Sequence, residues 1–153
     1  MSLPTIPSLD LRSILMTAGV GSTTLTGADW EVYSGNTPAS PNQCIAIYDF
    51  GGIPNPKWLL DEVFVAIRVR GDKLDYVNTA TKIQAVKDAL LGMEETTAGN
   101  SSYKGCIITK DIFFEGYDDS NRPLFTLDCK LWREPANSTG STSSSAETNR
   151  TPL

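Results

Sequence analysis

The spacing of hydrophobic residues changes period at Gly71. From Glu62 to Arg70, the residues Val63, Val65, Ile67 and Val69 alternate with Phe64, Ala66, Arg68 and Arg70. A period of two with β-branched residues on one side is the pattern of a strand with one buried face. Beyond Gly71 and Asp72, the residues Val77, Ala80, Ile83, Val86 and Leu90 recur every three to four positions. That spacing predicts a helix from Leu74 or Asp75 to Leu91, with its apolar stripe on those five residues. Asp72 or Asp75 is expected to cap its start, and Gly92 to close its end in the left-handed conformation. A strand and the helix that follows each have one apolar side, and packing the helix across a sheet covers both.

The remaining elements follow from the same reasoning. After two prolines, Ser8 is expected to cap a first helix running from about Leu9 to Ala18, with Leu9, Ile14 and Leu15 as its stripe and Leu11 beside it. Strands are predicted at Asp29–Tyr33, Cys44–Tyr48, Tyr103–Glu115 and Leu124–Arg133, the second of them central because it is nearly all apolar. In the last strand Phe125, Leu127, Cys129 and Leu131 alternate with Thr126, Asp128, Lys130 and Trp132. Residues 49–58 read as a long loop, and Glu94 to Ser102 as a polar turn. With the Glu62–Arg70 strand this makes an α+β domain of about five strands and two helices over residues 1–134. From Pro135 to Leu153 the chain is mainly Ser, Thr, Asn, Gly and Ala, which cannot bury enough apolar surface to offset its ordering entropy, so a disordered tail is expected.

Composition narrows the chemistry. The 153 residues suit a single domain, and the formal net charge of −5 argues against a protein built to grip phosphate backbones. The chain has no histidine, which removes the usual general base and the commonest metal ligand. Its three cysteines are widely spaced, without a CxxC pair, and are expected as buried or half-buried thiols. Gly19–Gly27 superficially suggests a phosphate loop but lacks the lysine and follows a helix, so it reads as a connector. Asp118 and Asp119 lack the spaced ligands of a calcium loop and read as a polar hairpin tip. Lys82 and Lys87 are assigned to a solvated helix face. No run reaches the length of a membrane span, and no catalytic set, metal or cofactor is expected. An enzyme would have to work through carboxylates or lysines alone. The stronger alternative is a monomeric small-ligand or adaptor-binding domain, which requires a concave apolar pocket.

A resemblance adds to this. A short helix leads to a tryptophan-containing strand followed by YSGNTP, then to an apolar strand ending in YDFGG. RVRG, ALLG and a final hairpin, DDSNRPLFTLDCKLWRE, complete the order from Leu9 to Glu134. This order resembles the tail-terminator and minor capsid proteins of tailed bacteriophages, with Asp119, Asn121, Arg122, Phe125 and Leu127 at the matching closing positions. The resemblance implies a structural virion protein with a mixed, mainly antiparallel sheet covered by two helices. It further implies a ring of copies, hexameric in that family, which caps the tail tube at the tail–neck junction and stops tail growth. The partners so implied are further copies of the chain, the tail tube protein and the neck or head-completion protein, with the tail sheath as a further candidate. DNA would pass only through the lumen, and no membrane is involved. Synthesis is expected in the host bacterial cytoplasm. Exposed, specifically shaped loops are the candidate contacts: Phe50 and Trp58 in the Gly/Pro loop, and Asp118, Asp119, Asn121 and Arg122 at the hairpin tip.

Overall fold

The computed structural model describes residues 6–20, 30–39, 42–53, 61–99 and 101–135. Two helices, α1 (Pro7–Thr17) and α2 (Tyr76–Leu91), accompany six strands. These are β1 (Glu31–Ser34), β2 (Cys44–Ile53), β3 (Asp61–Arg70), β4 (Thr96–Ala98), β5 (Ser101–Tyr117) and β6 (Pro123–Pro135). They form one sheet in the order β1-β2-β3-β6-β5-β4. Every neighbouring pair is antiparallel except β1 and β2, so the sheet is mixed. This is the expected α+β class, with one strand more than the alternation of the sequence predicts. The additional strand, β4, lies in the supposed polar turn. Three residues of mostly polar character carry no periodicity, and only their pairing with Ser101–Tyr103 makes them a strand.

The alternating residues of β3 divide as their period requires. Val65, Ile67 and Val69 are fully buried on the helix-covered face, beside Ile45 and Ile47 of β2 and Leu127, Cys129 and Leu131 of β6. Leu11 and Leu15 of α1 and Ile83, Val86 and Leu90 of α2 close over them without exposure. Burying a side chain of this size stabilises by roughly 1.5–3 kcal/mol, so this layer dominates the fold. α2 lies over β5 and β6, while α1 touches β1 and β2 and also β4 at the far end of the sheet. The sheet therefore curls around α1. A buried hydrogen bond from the Tyr103 hydroxyl of β5 to the Asp10 carboxylate of α1 fixes that approach. Burial first, and then the Asp10 carboxylate, push the Tyr103 phenol well above its ordinary range.

Several local expectations change. Ser8 does not cap α1: Ile6 holds that position, Pro7 opens the first turn, and Ser8 is buried inside the helix. Its hydroxyl donates to Asp49 at 2.8 Å and meets the Ser34 hydroxyl at 2.6 Å, tying α1 to β1 and β2. Leu9 is exposed while Leu11 is buried, so the stripe of α1 is rotated from the predicted one. Asp75 does cap α2, accepting from the Asn78 amide at 3.3 Å. Val77 is 72% exposed and Thr79 takes the buried position instead. The reason is close approach at Gly71, where an added Cβ would fall 1.7 Å from the Thr79 hydroxyl oxygen. Gly92 ends α2 at φ −86°, outside the left-handed region. β2 runs on to Ile53 through residues that read as loop. A bulge between Asp49 and Gly52 allows this, and a Cβ at Gly52 would meet the Glu62 carbonyl at 2.2 Å.

Cys44 and Cys129 are buried and Cys106 is half-buried, all three free, as their strand positions suggested. Lys82 and Lys87 do not lie on an idle solvated face. Lys82 donates to the Val20 carbonyl at 2.9 Å and sits 5.4 Å from the Trp30 ring, and burial lowers its pKa. Lys87 pairs with Asp111 at 2.9 Å. The connector beyond Val20, Trp58 with most of the Gly/Pro loop, and the tail from residue 136 lie outside the described residues. Pro135, placed in the tail by composition, ends β6 opposite Ser101.

Candidate assembly surface

The face of the sheet away from the helices carries the polar residues of each alternating pair. Its upper end, toward Arg70, is covered by the connection from β1 to β2, residues 35–43. Parallel neighbours ordinarily need a crossover of a dozen or more residues. This one is shorter and is held by two arginines. Arg70 on β3, 4% exposed, donates through Nε to the Asn42 carbonyl at 2.9 Å and through Nη2 to the Pro38 carbonyl. Arg122 after the hairpin tip donates through Nη1 to the Ala39 carbonyl at 2.7 Å and to Asn42 Oδ1 at 3.3 Å.

The hairpin tip itself is built around Asp118. One carboxylate oxygen accepts from the amides of Ser120 and Arg122, each at 2.9 Å, and the other accepts from Arg122 Nε at 2.8 Å. Burial pushes the Asp118 carboxyl up, but these bonds and the guanidinium charge outweigh it and hold its pKa below the usual value. Asn121 sits at φ 60°, a conformation that asparagine tolerates, and its carbonyl accepts from the Leu74 amide at 2.8 Å. The tip is thus rigid and tied to the turn before α2. Asp119 and Asn121 remain exposed, whereas the Arg122 side chain is only 12% exposed.

In the lower half of this face Glu62, Phe64, Lys130 and Trp132 are partly exposed among the described residues. Lys130 of β6 lies 4.7 Å from the Trp132 ring and 6.0 Å from the Phe64 ring, and pairs with Glu62 at 2.9 Å. Exposed Phe50 and Ile53 stand at one edge of the sheet, and exposed Ile107 and Phe113 at the other. Among the predicted contact residues, Asp118, Asp119, Asn121 and Arg122 are brought together. Phe50 is not with them. It lies in the β2 bulge beside Val63 and Val65, while the tip lies past Arg70 at the other end of β3, roughly 17 Å along the strand. Trp58 is outside the described residues. Arg70, Ile53 and Ile107 were missed. Arg70 had a signal, a charge at the end of an apolar strand, but nothing in its spacing names its partners.

Among the described residues no group of acidic, cysteine or histidine side chains converges as a metal site, and no helix is long and apolar enough to cross a membrane. Among the described residues, a groove partly open to solvent lies where the C-terminal ends of α1 and α2 meet β4, lined by Ile14, Ala89, Met93 and Ala98 with Ser13, Thr17 and Glu94.

The bacteriophage tail terminator protein family matches residues 14–134, and the chain belongs to that family. It is accordingly a structural protein of the virion tail. Among solved structures it is similar to a chain from the virion of a native gene transfer agent particle, at a TM-score of 0.64 and 14% identity, covering 83% of this chain and 93% of that one. That likeness supports the fold. No curated protein matches.

Proposed function

We propose that copies of this chain form a ring that caps the tail tube, ends its polymerisation and joins the tail to the neck. The observation that carries this reading is the family match over residues 14–134, which takes in all six strands, α2, the end of α1 and both candidate contact regions. The rigid hairpin tip and the partly exposed lower face supply distinct, shaped patches, and a ring needs unlike patches that meet head to tail. In this reading Asp119 and Asn121 at the tip, with Asp118 and Arg122 holding it, meet the tube or neck, and Phe50 and Trp58 meet a neighbouring copy. The separation of Phe50 from the tip along β3 favours two different partners.

The test is a phage whose copy of this chain is interrupted. Electron micrographs are expected to show tails of uncontrolled length and unjoined heads, and a plasmid-borne chain is expected to restore both tail length and titre. Tails of normal length joined to heads in its absence would overturn the reading. The binding-domain alternative requires a concave apolar pocket that buries most of its ligand, whereas this groove is partly open to solvent and includes Ser13, Thr17 and Glu94 in its lining.

A further inference from the structure

Among the described residues, each end of the sheet leaves a stretch of strand without a neighbour on its outer side. β1 covers β2 only at Cys44–Ile47, and β4 covers β5 only at Ser101–Tyr103. Among the described residues, no strand pairs with the outer side of Asp49–Ile53 or of Gly105–Tyr117. Such edges are templates for further pairing, and proteins ordinarily blunt them. Here β5 is bulged at four places, leaving Gly105–Ile108 as a regular run, and β2 is bulged once, between Asp49 and Gly52, so that its five residues Asp49–Ile53 span the same height as those four.

Three features make the two edges fit one another. The first is level. Following the register across the sheet, Gly105 lies opposite Trp132, which lies opposite Glu62, which lies opposite Ile53. Likewise Ile108 leads through Cys129 and Val65 to Asp49. The regular run of β5 therefore stands at the same height as the open end of β2. The second is direction. Three antiparallel steps separate β2 from β5, so they run oppositely. A neighbour rotated about an axis along the strands keeps every direction, and its β2 meets β5 antiparallel, the slightly more stable pairing. No shift along the strands is needed, which is the condition for a head-to-tail contact to close as a ring instead of climbing into a filament. The third is surface. Phe50 and Ile53 on one edge and Ile107 and Phe113 on the other are exposed apolar residues.

We infer that Gly105–Ile108 of one copy pairs antiparallel with Asp49–Ile53 of the next, so that the ring is a sheet continued from subunit to subunit. This rests on the ring reading above and names the surface that makes it. Ile53 and Ile107 fall on the same, helix-free face in this arrangement and become diagonal neighbours, about 7–8 Å apart.

The test places Ile53→Cys and Ile107→Cys together in the full chain, with Cys106→Ser to remove the half-buried thiol. The variant complements the interrupted phage, and purified particles are treated with a short bis-maleimide. The expected result is a ladder of multiples of the subunit mass ending at the ring size, absent from a chain that carries only one of the two introduced cysteines. A lysine-directed cross-linker that yields multimers where the bis-maleimide yields none would overturn the edge pairing and leave the ring standing. No multimers with either reagent, or no wild-type chain in the particles, would remove the ring reading itself. If the cysteine variant does not enter particles, a charge exchange decides. Ile107→Asp alone is expected to lower the titre at least tenfold, and Ile53→Lys in the same chain to restore it. Unrestored titre overturns the pairing.

Discussion

On the helix-covered face of β3, Val65, Ile67 and Val69 belong to one apolar cluster with residues from the five other strands and both helices. On the opposite face, one residue along in each case, Arg70 grips two carbonyls of the crossover and Arg68 reaches Glu115 at 3.8 Å. Phe64 there lies against Lys130. The first face is held by non-directional burial spread over many contacts, so its stability is distributed and tolerant of exchange between similar side chains. The second is held by a few directional hydrogen bonds from charged donors, so its shape depends on individual residues. A surface that must present a fixed outline to partners gains from the second kind of construction.

The comparison can be broken first at the apolar face. Ile83→Ala, at a position with no exposure, is expected to cost about 2–4 kcal/mol in urea unfolding. An unchanged midpoint would show that α2 does not carry the core. The next largest effect belongs to the crossover. Arg70→Leu removes two charge-assisted bonds to backbone carbonyls, worth about 1.5–3 kcal/mol each. New protease cleavage within residues 35–43 is expected at denaturant concentrations where the core signal is still native. Cleavage and core unfolding at the same midpoint would show one cooperative unit instead of two kinds of face.

The hairpin tip sharpens the same contrast through pH. The Asp118 carboxyl is held below its ordinary value, so its contribution is fully present above the unfolded pKa of about 4. It is lost as pH falls through the lower, folded value. Stability measured from pH 6 downward is expected to drop more steeply for the native chain than for Asp118→Asn. Equal slopes would mean that the tip does not depend on the ionised carboxylate. Arg122→Glu would place two acids together and also free the Ala39 carbonyl, so as a probe of assembly it confounds contact with folding; Asp119→Lys is the cleaner probe. The smallest effect is expected at Val77→Lys. The side chain is exposed although it lies on the predicted stripe, and the change in stability should stay within about 0.5 kcal/mol.

The alternation of β3 and β6, the helix after Gly71 and a capping aspartate at its start, Asp72 or Asp75, were legible in the sequence because each is a local matter. Periodicity, β-branching and a capping carboxylate act within a few residues. From these the α+β class and most of the core could be read, and the order of the motifs pointed to the tail terminator family. Tertiary structure decided what depends on distant neighbours. β4 exists because Thr96–Ala98 meets Ser101–Tyr103. Ser8 left the cap because Asp49, far along the chain, offers its carboxylate. Val77 turned outward because Gly71 lets Thr79 approach β3. Arg122, chosen from sequence as a contact residue, spends its donors on Asp118, Ala39 and Asn42 of its own chain. The equal level of the two open edges appears only when the register is followed across four strands, since pairing between strands is a relation that no single segment encodes.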